Sequence, residues 1–115
     1  MNDLNILYAN LDKEIMDAQI RYEKAIEDQS IFSEKYVESK VAYKKKKAEM
    51  IEQLRSQGTP VTIIGDIVYK YCDIEYRQML SFEEKKDYFK ALRDGMAERI
   101  QSIKMLAKLR IQDIK

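Results

Sequence analysis

Apolar residues recur at alternating spacings of three and four along the first half of the chain. The series contains only two polar members, Gln29 and Ser39, and runs Leu4, Tyr8, Leu11, Ile15, Ala18, Tyr22, Ala25, Gln29, Phe32, Tyr36, Ser39, Tyr43. This spacing places the residues on one face of a helix, in a heptad-like seam. It predicts one helix over about residues 2–55, with Asn2 or Asp3 as its N-cap. Beyond Tyr36 the apolar positions move to Val37, Val41, Ala48, Ile51 and Leu54, which predicts that the seam shifts onto a neighbouring face.

The second half of the chain carries a similar seam and predicts a helix over about residues 73–114. Its members are Phe82, Phe89, Leu92, Met96, Ile100, Ile103, Leu106 or Ala107, and Ile114. The run Ser81-Phe82-Glu83-Glu84 matches a capping box, so a fresh helix could start at Ser81, or Ser81 could lie inside a helix that begins at Asp73. Gly95 is expected to mark a close approach to the first helix.

The hinge between the two arms is predicted at residues 56–72, where Gly58 and the chain's only proline, Pro60, interrupt the pattern. Thr62 is the expected N-cap of a short helix from Ile63 to Tyr71, although Val61–Ile64 could instead form a strand. Ile64 and Ile67, with their apolar neighbours Ile63 and Val68, are expected to form a compact cluster here.

These patterns predict an all-α fold in which residues 1–115 form a single domain. The domain is a long antiparallel helical hairpin, coiled-coil-like, with a short helical cap at the hinge. Two helices alone leave the far sides of both seams in water. A homo-oligomer, most simply a dimer, is therefore expected.

Composition narrows the function classes. Hydrophobic residues make up 45% of the chain and charged residues 36%, which favours long amphipathic helices over disorder. Histidine is absent, and one cysteine cannot form an internal disulfide, so no His-based catalysis and a reducing, cytoplasmic location are expected. No signal-peptide pattern and no membrane-spanning apolar run are present. The three glycines are scattered singly and form no phosphate-binding loop, and no Cys or His cluster is present, so we expect no enzyme activity and no cofactor. Carboxylates such as Glu14 and Asp17 stand at helical spacing among lysines, which favours exposed ion pairs over a metal site.

The most conspicuous charge run is Lys44, Lys45, Lys46 and Lys47, which follows Tyr43. These five residues are the candidate nucleic-acid contacts, because lysines neutralise phosphates and tyrosine rings stack on bases. The favoured alternative is a solvated face that forms ion pairs with Glu38, Glu49 and Glu52. The net charge of +1 keeps the overall field weak, so any nucleic-acid binding is expected to be weak. Four consecutive residues span more than a helical turn, so at least one lysine must face the packed side.

The second half resembles a group of uncharacterised small helical proteins of phages and prophages of low-GC Gram-positive bacteria. The resemblance covers about residues 45–110 and is carried by Gly58, Pro60–Ile64, Asp66-Ile67, Asp73–Arg77 and Lys90–Arg93. The group tends to have a basic residue at the position of Gly65. The resemblance implies a phage or prophage accessory factor that binds a host or phage protein, or else assists phage recombination or replication on nucleic acid.

A second resemblance, in shape, is to prefoldin subunits, which have two coiled-coil arms around a central turn region. It implies strand hairpins between the arms, for which Val61–Ile64 and Ile67–Tyr71 are the candidate segments. A chaperone that holds unfolded clients is the function that this resemblance implies. The favoured expectation is a non-enzymatic interaction protein, with nucleic-acid binding and the chaperone function as alternatives.

Overall fold

The computed structural model describes residues 2–114, with side chains for residues 10–110, and it consists of three helices. Helix α1 is Asn2–Ser56, α2 is Val61–Tyr71 and α3 is Asp73–Ile114. The all-α prediction is confirmed, and the described residues contain no strand. The strand alternative for Val61–Ile64 is therefore wrong. Helix α3 runs without a break through Ser81, so the capping-box pattern there does not start a helix.

The packing contacts gather into two compact units, each of which pairs a part of α1 with a part of α3. One unit runs from the start of α1 to Gln29 and from Asp87 to the end of α3, and the other is Ser30–Lys86. In the first unit Gln29 contacts Arg93, and Glu14 and Arg21 share a cavity with Arg99. In the second unit Phe32 packs on Phe82 and Tyr43 packs on Tyr76. Within each unit the two segments are therefore antiparallel. Whether residues 1–115 form a single domain stays a prediction.

The predicted seam of α1 is the packed face of the helix. Leu11, Ala18 and Ala25 are buried. Every other seam position from Ile15 to Tyr43 is half-buried. The predicted shift beyond Tyr36 is wrong for Val37 and Val41, which are 57% and 60% exposed, and for exposed Ala48, whereas Ile51 and Leu54 are half-buried. The heptad spacing instead continues through half-buried Lys46 and Met50.

The packed face of α3 follows a regular heptad that admits charged residues. Its described members are all buried or half-buried: Glu75, Met79, Phe82, Lys86, Phe89, Arg93, Met96, Ile100, Ile103, Ala107 and Arg110. Of the two alternatives, Ala107 belongs to the seam and Leu106 is exposed. The side chain of Ile114 lies outside the described residues. Polar side chains thus stand inside the seam on both long helices.

Helix α1 ends in a Schellman motif centred on Gly58. Gly58 has a φ of 77°, a left-handed conformation that glycine adopts without the steric cost of a Cβ. The Gly58 N–H donates to Arg55 O at 3.1 Å, and the Thr59 N–H donates to Leu54 O at 3.0 Å. These two bonds satisfy carbonyls that the helix end would otherwise leave unpaired. Gly58 therefore determines the residue at which α1 ends.

Helix α2 begins at Val61, two residues before its predicted start at Ile63. Pro60 is the N-cap, and its carbonyl accepts a hydrogen bond from the Ile63 N–H at 3.1 Å. Thr62 lies inside the helix, so the prediction that Thr62 caps it is wrong. Proline suits this position because its fixed φ, here −58°, and its missing N–H cost nothing ahead of the first turn.

The core of the unit Ser30–Lys86 forms where α2 lies against α1. Ile64, Val68 and Cys72 recur every four residues and are buried against Tyr43, Met50, Ile51 and Leu54. The predicted hinge cluster is thus confirmed for Ile64 and Val68, whereas Ile67 is half-buried and Ile63 is 45% exposed. Ile51 and Leu54 are half-buried because α2 covers them, although they lie outside the heptad series of α1.

Gly95 does not mark a close approach. A Cβ placed on Gly95 would meet no atom within 4 Å, so that expectation is wrong. Gly95 also has no positive φ. It is an exposed glycine in a helix interior, where alanine is the better helix former.

We expect Gly95→Ala and Gly58→Ala to change stability in opposite directions. Gly95→Ala should raise the free energy of unfolding by about 0.5–1 kcal/mol, because it restores helix propensity without a clash. Gly58→Ala should lower it by roughly 1–2 kcal/mol, because a Cβ is strained at positive φ. Urea unfolding followed by circular dichroism measures both. Two changes of the same sign would contradict the assignment of Gly58 as the helix stop.

Candidate docking groove at the hinge

Three tyrosines from three helices line a groove in the unit Ser30–Lys86. Tyr43 of α1, Tyr69 of α2 and Tyr76 of α3 surround a cavity of about 320 Å³ that also reaches buried Cys72. The rings of Tyr43 and Tyr76 are 5.4 Å apart at a tilt of 48°, within the range of favourable aromatic contacts. Tyr69 is 69% exposed. The three rings therefore form a concave aromatic surface open to a partner.

A second cavity adjoins the first and shares Tyr43 and Tyr69 with it. Its volume is about 190 Å³, and it is also lined by Lys47, Ile51, Ile64, Gly65 and Val68. We call the two cavities together the tyrosine groove. Its lining is aromatic and aliphatic, with Lys47 as the charged member. A concave apolar surface with few polar groups is the common form of a binding site.

An ion pair between α1 and α3 lies beside the groove. Lys46 Nζ donates to Glu75 Oε1 at 2.5 Å, and both side chains are partly shielded from solvent. Glu75 Oε2 is inaccessible to solvent and has no hydrogen-bond partner among the described residues. The pair connects residues that are 29 positions apart, next to the Tyr43–Tyr76 contact. It therefore fixes which residues of the two helices lie opposite each other at the groove.

The ion pair shifts the protonation of both of its members. The hydrogen bond to Glu75 raises the pKa of Lys46 above its ordinary value of 10.5, against a smaller opposing effect of desolvation. The hydrogen bond from Lys46, helped by a backbone N–H, lowers the pKa of Glu75 below its ordinary value of 4.5. Both shifts favour the charged forms. The pair is thus ionised across the neutral pH range.

The structure separates the five candidate nucleic-acid contacts. Tyr43 and Lys46 are half-buried and face the other helices, whereas Lys44, Lys45 and Lys47 are exposed. Among the described residues the predicted partners Glu38, Glu49 and Glu52 form no ion pair with the run, and the lysine on the packed face, Lys46, pairs with Glu75 instead. Lys47 Nζ lies 5.9 Å from the centre of the Tyr43 ring, a cation–π distance. Nucleic-acid contact by these residues stays a prediction.

The residues that complete the groove are Tyr69, Tyr76, Gly65 and Cys72, and sequence reasoning did not identify them as a site. Gly65 and Tyr69 are four residues apart, as are Cys72 and Tyr76, so each pair shares a helix flank. That periodicity was available in the sequence. To predict that Tyr76 lies beside Tyr43, one must know the register of α1 against α3. The sequence patterns leave that register open.

No three His, Cys, Asp or Glu residues within the described part of the chain lie where they could together hold a metal ion. No helix among residues 2–114 has the length and apolarity needed to cross a membrane. Comparison with protein-family models, curated proteins and solved structures gives no match to this chain. The resemblances to phage helical proteins and to prefoldin subunits therefore stay predictions.

We expect the Lys46–Glu75 pair to shape the pH dependence of stability. Because the pKa of Glu75 is lowered on folding, its contribution is present above pH 4.5 and is lost as pH falls through the folded value. Because the pKa of Lys46 is raised, its contribution is present below pH 10.5 and is lost as pH rises through the folded value. The difference in unfolding free energy between the wild type and Glu75→Gln should therefore be largest between these limits.

Denaturant unfolding from pH 3 to pH 11 provides the measurement. Lys46→Met combined with Glu75→Gln should show the same loss as either change alone, because the pair acts as a unit. Asp73→Asn is the control, since half-buried Asp73 pairs with exposed Arg77 within α3 and takes no part in the contact between α1 and α3. Independent, additive losses from Lys46 and Glu75 would contradict the coupling.

Proposed function

We propose that this protein is a non-enzymatic helical interaction protein that binds a protein partner at its hinge. The observation that carries the proposal is the density of exposed apolar side chains around α2. We call these residues the hinge surface: Val61, Ile63, Tyr69, Tyr71 and Ile74. These residues lie close together in the sequence, around one short helix. Exposed apolar residues that cluster mark interaction sites on proteins, whereas isolated ones are ordinary.

The hinge surface cannot be explained by packing inside the chain. Val61 and Ile74 are 79% and 78% exposed, while Ile64 and Val68 of the same region hold α2 in place. Exposed β-branched and aromatic residues on so short a helix increase the risk of aggregation unless a partner covers them. Tyrosine in particular is enriched at the energetic centres of interfaces, because its ring packs while its hydroxyl remains hydrated.

The chemistry of the groove supports binding rather than catalysis. Its lining offers tyrosine rings, aliphatic side chains and one lysine, without a carboxylate among the lining residues to act as a base. We propose, following the resemblance to phage and prophage proteins, that the partner is a host or phage protein. The genes that flank this one would identify candidates for direct binding experiments.

Site-specific photocrosslinking tests the proposed surface. We expect a benzoylphenylalanine at Tyr71 to crosslink one partner protein in cells, and the same probe at Val37 to give no such product. Val37 is a suitable control because its exposed fraction of 57% is close to the 63% of Tyr71, and it lies outside both proposed contact surfaces. The purified partner should then bind the wild-type chain more tightly than Tyr71→Ser, about tenfold if Tyr71 is an energetic centre of the interface. Equal crosslinking from both positions would contradict a hinge-specific interface.

We further propose that the chain forms a homo-oligomer, a dimer in the simplest case. The unit that pairs the start of α1 with the end of α3 has two alanines, Ala18 and Ala25, among the buried α1 positions that the structure describes. Large apolar residues of the same unit remain exposed: Met16, Ile20, Ile26, Tyr88, Met105, Leu106 and Leu109. Two helices bury one face each, so a second layer is needed to cover such residues.

Light scattering over a dilution series measures the oligomeric state. We expect a mass at least twice the 13.7 kDa of one chain at micromolar concentration. Ile20→Glu should reduce that mass, because a charge on an apolar contact surface disfavours association. Glu27→Lys is the control on an exposed polar position of α1. A mass of one chain at every concentration would contradict the proposal.

A further inference from the structure

Gly65 is a glycine that no contact inside the chain requires. It lies in the interior of α2, where glycine lowers helix stability relative to alanine, and it has no positive φ. A Cβ placed on it would meet no atom within 4 Å. Neither backbone conformation nor packing therefore explains the residue. Because Gly65 has no side chain, the second cavity of the tyrosine groove stays open down to the α2 backbone.

The wall of the groove that α1 supplies is cationic. Lys47 lines the groove, and Lys44 and Lys40 precede it at spacings of three and four, which place them on the same side of the helix. Glu75, the nearby carboxylate, is already bonded to Lys46. The lining residues include no acidic side chain. A ligand that enters the groove therefore meets positive charge on one wall and apolar surface on the others.

We propose that the tyrosine groove binds an acidic peptide segment of the partner protein. A large apolar side chain of that segment enters over Gly65, between Tyr43 and Tyr69, and an adjacent carboxylate contacts Lys47. Charge-assisted contacts at the rim orient the segment, and the buried side chain supplies most of the affinity. This inference rests on the proposed function and specifies the chemistry of the partner.

A peptide fits the groove better than a nucleic-acid strand does. The rings of Tyr43 and Tyr76 pack on each other, which leaves Tyr69 as the groove ring with a largely exposed face for stacking. A nucleic-acid strand carries a phosphate at every nucleotide, whereas Lys47 is the one cation among the residues that line the groove. A peptide segment needs one carboxylate beside its apolar side chain, which matches one lysine in an aromatic and aliphatic lining.

Selection from a displayed library of short random peptides on the wild-type chain tests the proposal. We expect selected peptides to be rich in Asp and Glu around one large apolar residue. Fluorescence anisotropy should show their affinity falling about tenfold in Gly65→Ala and in Lys47→Gln. Gly65→Ala should at the same time raise the melting temperature, because alanine is the better helix former. If Gly65→Ala lowers the affinity for the peptides while it raises the stability of the protein, the role of Gly65 is in binding and not in the structure of the chain.

Gly95→Ala is the matched control, since it also replaces an unobstructed helical glycine and lies outside the groove. It should raise the melting temperature and leave the affinity unchanged. Basic or uncharged selected peptides, no selected peptide at all, unchanged affinity in Gly65→Ala, or displacement by a mixed-sequence oligonucleotide would each overturn the inference. The crosslink from Tyr71 is an independent readout, so its persistence in any of these cases would leave the proposed function standing.

Discussion

The Lys46–Glu75 ion pair favours one register of α1 against α3 in the unit Ser30–Lys86, since it joins the two helices within their packed seam. A heptad seam made only of apolar residues can pack in more than one alignment, because each heptad looks much like the next. A charged residue in the seam removes that freedom, since a shift of seven residues would leave a shielded charge without its partner. Glu75 Oε2 has no hydrogen-bond partner of its own, so the pair contributes specificity of alignment more clearly than net stability.

The tyrosine groove follows from that alignment. Tyr43 lies three residues before Lys46, and Tyr76 follows Glu75, so the ion pair brings the two rings to 5.4 Å. The Schellman motif at Gly58 then ends α1 at a defined residue and lets α2 fold back over it. The buried series Ile64, Val68 and Cys72 fixes the rotation of α2. The residues that position α2 also line the groove, because Ile64 and Val68 face its second cavity and Cys72 faces its first.

The sequence predicted the three helices and their approximate ends, because the three-four spacing and the Gly58–Pro60 interruption are local signals. It also predicted that one lysine of the run must face the packed side, which Lys46 does. The groove could not be predicted, because it depends on the pairing of residues such as Tyr43 and Tyr76 that lie on different helices. The seam of α1 beyond Tyr36 was misplaced for a related reason. The prediction placed the apolar residues Val37 and Val41 in the seam and left Lys46 out of it. Lys46 can be assigned to the seam only when Glu75 is known to lie opposite it on α3.

Helix α2 carries buried residues and residues of the tyrosine groove on adjacent flanks. Ile64 and Gly65 are one residue apart, as are Val68 and Tyr69, and one residue is a rotation of about 100° around a helix. Because Ile64 and Val68 also line the groove, substitutions at either residue are expected to change both the packing of α2 and the shape of the groove. A glycine that weakens the helix is tolerated on the groove flank because the buried flank and the ion pair beside it hold α2 and its neighbours in place. The hinge can in this way be stable enough to keep its shape while the space over Gly65 stays open.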